Sequence, residues 1–420
     1  MKIKTLLGIA ITVLAVGILA GTIWWRLRPQ TFTLGNGTKL KLAAVTYGKH
    51  QDFPGIVHGA WGPRSGFDST NDTLFVWIEQ RHKDNQWPNY QLLAYDPGAI
   101  ACASCSTMTA HWIGPGEEMV GIRLDAFPRR LRKFYLRVQE WNPQNGRQTL
   151  KRAFVISNPV HGPFPEWYPD PLPDTQSDRD LDVTLTRLTL GVKEPYLRDN
   201  TAPNDPINKS VLAAFQIQQN GRVVTNWLPV QVETSDATGN YITGWCNNHW
   251  ENGELVTLYQ WGLWPDEPAW KVRVEFSRTS DFTAGELWTV SDVPVQPSRQ
   301  QDFWNENRSN RASAAFAETT INGIHLKLFP AKQFTDRQDM RGAIEGGLDI
   351  RTDLPLKGMR LTLLKVTDNQ GHDVQPMNLG WGGTDQRFGL RNIDNAKTLN
   401  LTLALHRSRF VEFTVKPTKP

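Results

Sequence analysis

The sequence predicts an all-β protein of three tandem immunoglobulin-like antiparallel β-sandwiches following an N-terminal transmembrane helix. Three observations predict it. Beyond residue 30, apolar and polar residues alternate with the period of two that places one face of a strand in a core, and Gly, Pro, Asn and Asp clusters punctuate the runs. One order of strand and turn features recurs three times. Finally, Leu6 to Trp25 form an uncharged run of twenty residues, which as a helix spans about 30 Å, one hydrocarbon core.

Residues 1–28 are accordingly read as the membrane anchor, with residues 6–25 in the lipid bilayer. Lys2 and Lys4 precede the run, Arg26 and Arg28 follow it, and Trp24 and Trp25 sit where an interfacial aromatic belt places them. A cleaved signal peptide is the competing reading, but its apolar region would be shorter. The flanking charges nearly balance. The large C-terminal portion is expected outside the cytoplasm, giving a single-pass membrane protein.

The first sandwich is expected over 31–158, the second over 180–296 and the third over 318–420. Each contains a strand running into an Asp/Gly turn: YQLLAYDPG ending at Gly98, VQVETSDATG ending at Gly239, LLKVTDNQG ending at Gly371. Each closes with two strands and a proline: KFYLRVQEW then LKRAFVISNP, WKVRVEFSR then ELWTVSDVP, LNLTLALHR then FVEFTVKP. Preserved order with shrinking spacing is what loop-length variation on one architecture gives. Residues 159–179 carry six prolines within the surrounding segment and read as a semi-rigid linker; 297–317 reads as a polar linker with a short helix around Asn307 to Ala317. The stretches LGNGTKLKLAAVTYGK, from Leu34, and WPDEPAWKVRVEFSR, from Trp264, loosely resemble membrane-anchored β-rich bacterial proteins with no assigned activity. That resemblance implies the architecture and brings no functional residue.

A net charge of +4 over 420 residues is too small and too dispersed for a nucleic-acid partner. G-x-S-x-G, H-E-x-x-H, G-x-x-x-x-G-K and G-x-G-x-x-G are all missing. Glu117 and Glu118, like Asp266 and Glu267, are adjacent, so in a strand they point to opposite faces and cannot cooperate as acid and base. The expected function is therefore a non-catalytic binding, adhesion or scaffolding protein with a protein or glycan ligand. A membrane-tethered hydrolase, polysaccharide-directed and with sandwiches as accessory units, is the alternative.

Two constellations are candidate sites. Cys102, Cys105, Cys246 and His249 have the ligand types of a Cys₃His zinc site, with His111 as a substitute for His249. A disulfide or buried structural thiols are the other readings of these cysteines, and no cofactor is strongly implied. Trp261, Trp264 and Trp270 beside Asp266 suggest an aromatic, acidic ligand-binding loop, set against the ordinary use of Trp in sandwich cores. Two charged stretches have plainer readings. Aspartates 170, 174, 178, 180 and 182 read as a solvated linker or, less simply, a Ca²⁺ site. Arg129, Arg130, Arg132 and Lys133 read as a protected strand edge or a lipid-facing patch.

Overall fold

Alternation in sequence becomes alternation in burial. Along Leu181–Leu190 every second residue is buried until a bulge between Leu185 and Arg187 shifts the phase, as expected of a strand with one face in a core. The computed structural model describes residues 30–52, 67–82, 90–95, 105–114, 116–141, 148–160, 162–191, 210–259, 262–264, 266–305, 314–336, 344–378, 383–393 and 396–418. The protein is all-β, with β-sandwich-like packing of antiparallel sheets. No helix among the described residues is long and apolar enough to cross a membrane, and the expected span at 6–25 lies outside them.

The first eight strands are β1 (Thr31–Thr33), β2 (Lys39–Gln51), β3 (Phe67–Arg81), β4 (Tyr90–Tyr95), β5 (Cys105–Gly114), β6 (Glu117–Leu124), β7 (Lys133–Trp141) and β8 (Gln148–Ser157). They form one sheet in the order β1-β2-β3-β6-β5 and another in the order β4-β7-β8. The chain continues with β9 (Asp174–Asp178), β10 (Leu181–Leu190), β11 (Val211–Gln219), β12 (Arg222–Val223), β13 (Trp227–Asp236), β14 (Tyr241–Glu251), β15 (Glu254–Tyr259) and β16 (Trp270–Arg278). Then come β17 (Leu287–Ser298), a helix α1 (Gln300–Asn305), β18 (Ala317–Ile321), β19 (Ile324–Leu328), β20 (Ala331–Phe334), β21 (Gly346–Thr352), β22 (Met359–Asp368), β23 (Gln375–Asn378), β24 (Asp385–Arg391), β25 (Thr398–Arg407) and β26 (Arg409–Val415). Most of the stretch expected as a helix, residues 306–313, lies outside the described residues; a short helix is described just before it, and Ala317 begins a strand.

The strand order of the first set recurs twice. β9-β10-β11-β15-β14 and β18-β19-β21-β24-β23 repeat β1-β2-β3-β6-β5. The matching turns are built from the same bonds. At Asp236, Oδ1 accepts from the N–H of Thr238 (2.9 Å) and Asn240 (3.2 Å), and Gly239 N–H donates to Asp236 O. At Asp368, Oδ1 accepts from the N–H of Gln370 and His372 (both 2.8 Å), and Gly371 N–H donates to Asp368 O. Gly239 and Gly371 have φ of 90° and 86°, a conformation glycine adopts without a Cβ penalty.

The closing strands differ. β8 pairs with its sequence neighbour β7. β17, which follows β16, pairs instead with β25, and β26, which follows β25, pairs back with β16 over Trp270–Phe276. The strand runs of the second and third repeats that match β4-β7-β8 are thus β13-β16-β26 and β22-β25-β17, completed by an exchange of last strands; each is continuous with its repeat's larger sheet, through β13 with β14 and, in parallel, β17 with β20. The intervals expected for the second and third sandwiches are crossed by this pairing. Ser408 explains half of it: one residue between β25 and β26 is too short for a hairpin, which needs a turn of at least about two residues. Val411, Phe413 and Val415 lie in the apolar cluster that runs through the first and second repeats, while the third repeat has its own. Each of these buried side chains contributes about 1.5–3 kcal/mol.

The segment expected as a spacer also packs. Asp170 N–H donates to Thr414 O (2.7 Å), Arg130 Nη2 donates to Pro165 O (3.1 Å), and Lys271 sits over the Trp167 ring. Arg129 and Arg130 join the first repeat to the second. Arg129 is buried, stacks on Phe127, and donates to Asn240 Oδ1, Thr238 O and Tyr47 Oη. Arg130 Nε bonds both oxygens of Glu267 (3.0 and 2.9 Å). The basic cluster is therefore in large part an inter-repeat contact, and the Asp236 turn is its docking point.

Candidate functional site

β13 is paired on both sides, by β14 and β16, and β16 by β26, so their outward residues form continuous cross-strand rows. One row runs Trp245, Gln231, Glu275, Phe410; the next runs Thr243, Glu233, Arg273, Glu412. The third repeat covers only one end of this face. There Ser277 Oγ meets His406 Nε2 (3.2 Å), Ser408 Oγ donates to Glu275 Oε1 (2.6 Å), and Arg360 donates to both oxygens of Glu275 (3.1 and 2.9 Å). Where the cover stops, a cleft of about 520 Å³ opens between the face and the segment from Pro355 to Leu361, with Gln386 at its rim.

The exchanged strands fix this cleft. Its floor includes β26, which the third repeat delivers to the second, and its wall includes the start of β22 in the third. Trp245 is 58% exposed, more than any other tryptophan whose side chain is described. Glu233 receives Arg273 Nη1 at 3.0 Å, and the same guanidinium lies 4.5 Å from the Phe410 ring centroid. Lys357 lines the cleft with no carboxylate partner among the described residues. Three cations thus face two carboxylates.

Glu233 and Glu275 are diagonal neighbours on adjacent strands, about 7–8 Å apart at Cα by sheet geometry. Both side chains lie on the same face of the sheet, as an acid and base pair would need. Both oxygens of Glu275 are, however, already engaged by Arg360 and Ser408, and Glu233 is held by Arg273. The other pairing suggestive of catalysis, Ser277 with His406, is sealed: Ser277 is 4% exposed and His406 0%. Burial lowers the His406 pKa from 6.5, opposed by its bond to the Arg407 carbonyl. With no space for a substrate beside the hydroxyl, this contact joins two repeats.

The residues singled out from sequence fall elsewhere. Cys102 and Trp261 lie outside the described residues, and Cys105 is placed only as the first residue of β5. Cys246 and His249 are three apart on β14 and occupy opposite faces, so these two cannot share an ion. Cys246 is a free thiol facing the core, pushed up to about 12 by burial, whereas a ligand must be a thiolate. His249 faces outward, 3.8 Å from Glu251. No group of three His, Cys, Asp or Glu able to hold a metal occurs among the described residues. Trp264 and Trp270 are core residues rather than a ligand face, with Trp270 Nε1 donating to Trp264 O; Asp266 is exposed beside them. In the aspartate cluster, Asp178 accepts from the Phe410 N–H, and Asp180 from Gln219 and Arg409. The Gln219 bond, aided by Arg409, draws Asp180 below its usual value. These carboxylates close β9 against β26.

Sequence reasoning missed Trp245, Glu233, Arg273, Glu275, Lys357 and Arg360. A signal existed for the first: Trp245 stands in register with Tyr241 and Thr243, where the alternation of ITGWC calls for an outward residue. Comparison with protein-family models, curated proteins and solved structures finds no match to the chain.

Proposed function

We propose that this chain is a membrane-anchored, extracytoplasmic, non-catalytic binding protein. Three tandem immunoglobulin-like sandwiches carry a ligand cleft between the second and third, and residues 6–25 tether the body to the bilayer. The observation that carries the reading is Trp245, a large exposed aromatic at the mouth of a cleft whose floor is fixed by strand exchange. An exposed aromatic beside fixed polar groups is a binding anchor. The charge pattern and apolar length of the N-terminal run support the tether. Glycan and peptide arrays probed with the wild type and with Trp245→Ala test the function: signals lost in the variant are expected, and identical signals overturn it.

The diagonal Glu233 and Glu275 pair favours a second reading, a membrane-tethered hydrolase acting on polysaccharide. Its test is release of reducing ends from polysaccharide by wild type against Glu233→Gln and Glu275→Gln. Turnover abolished by either substitution would establish catalysis; the binding reading expects no turnover from any of the three.

A further inference from the structure

We infer that the cleft between the second and third repeats takes a saccharide bearing a carboxylate, of the uronic-acid type. The inference rests on the binding reading above and names its ligand class. A volume of about 520 Å³ is in the range of small-molecule sites and accommodates a short oligosaccharide. The Trp245 ring offers a flat apolar surface of the kind on which the C–H face of a pyranose stacks. Next to it in the cross-strand row stands Gln231, and Gln386 faces from the opposite repeat. Each amide presents both a donor and an acceptor, which matches vicinal hydroxyls.

Charge selects among saccharides. Arg360 is matched by Glu275, and Arg273 by Glu233 and the Phe410 ring. Lys357 alone is unmatched among the described residues lining the cleft, so a bound carboxylate completes the pairing. Polyanions with dense phosphates are disfavoured by Glu233 and Glu275 on the floor. A peptide strand is disfavoured because the floor is the face of a sheet whose backbone is paired on both sides, leaving no edge to extend.

Calorimetric titration of the full-length protein tests the class, with tetragalacturonate, its methyl ester and hexaglutamate as probes. The ester keeps the rings and hydroxyls and removes the charge. Tetragalacturonate is expected to bind about tenfold or more tighter than the ester, with Lys357→Gln erasing that preference. Trp245→Ala is expected to weaken both by tenfold or more. Both positions are exposed, so both variants should melt with the wild type. Equal binding of acid and ester, still lost in Trp245→Ala, overturns the carboxylate and leaves the binding cleft standing. Trp245-dependent binding of hexaglutamate alone overturns the saccharide and keeps the cleft. Absence of Trp245-dependent heat with all three probes overturns the ligand class, and identical array signals for wild type and Trp245→Ala then overturn the binding reading with it.

Discussion

The first repeat and the second contain the same run of three paired strands, yet one is finished locally and the other is finished by the far end of the chain. β7 and β8 are sequence neighbours and pair over Lys133–Trp141 with Gln148–Ser157. β16 instead waits for β26, whose contribution lies beyond the whole third repeat. The difference teaches that an identical strand order can be reached with very different contact orders. It also shows what the exchange achieves: two repeats that share strands cannot rotate past one another, so a cleft between them keeps its shape. Among the described residues no strand of the first repeat pairs with one of the second; the two are joined chiefly by Arg129, Arg130 and the packed core.

Removing the shared strand is the most severe way to break this comparison. Truncation after Ser408 is expected to abolish hydrogen-exchange protection in β16 while β4, β7 and β8 keep theirs. Phe413→Ala, a milder form of the same cut, should destabilise the second repeat by about 3–5 kcal/mol in denaturant unfolding. Equal loss of protection in all three repeats would show that the first depends on the exchange as well.

The junction between the first two repeats should respond less. Burial, then the nearby Asp236, raises the Glu267 pKa against the opposing pull of Arg130. Arg130→Met leaves that buried carboxylate without its arginine partner, at a cost of about 1–3 kcal/mol. Protection of β7 and β13 should fall near the junction, with Ser277 and His406 unaffected at the other one.

The smallest effect is in pH. The folded state disfavours the charged form of His406, so its pKa lies below 6.5. Between 6.5 and that lowered value the unfolded chain binds a proton that the folded chain refuses. The contribution is present above 6.5 and lost as pH falls through this window. Ser277, Thr362, Phe282, Arg278, Glu286 and Arg360 surround the ring. A melting profile of His406→Asn against wild type should be flatter over that interval, by loss of one titrating group.

Much of the architecture was legible. Alternation marks the strands, and of the three Asp/Gly turns expected, those at Asp236 and Asp368 are present while the one ending at Gly98 lies outside the described residues. The exchange was not read, although a single residue separating LNLTLALHR from RFVEFTV is a local sign that no hairpin can form there. The site was missed for a related reason. Trp261, Trp264 and Trp270 stand out by their place beside Asp266, whereas parity along β14 and β16 decides that Trp245 faces out and Trp270 faces in. The same parity separates Cys246 from His249. Arg129 and Arg130 gave no local sign, because Asn240 and Glu267 lie more than 100 residues away.

The traded strands also impose a timetable on synthesis. A ribosome releases the first repeat with everything it needs to close. The second repeat emerges with an open flank along Trp270–Phe276 and keeps it until translation reaches Val415, so nascent protein carries an unsatisfied sheet edge for the entire time the third repeat is being made.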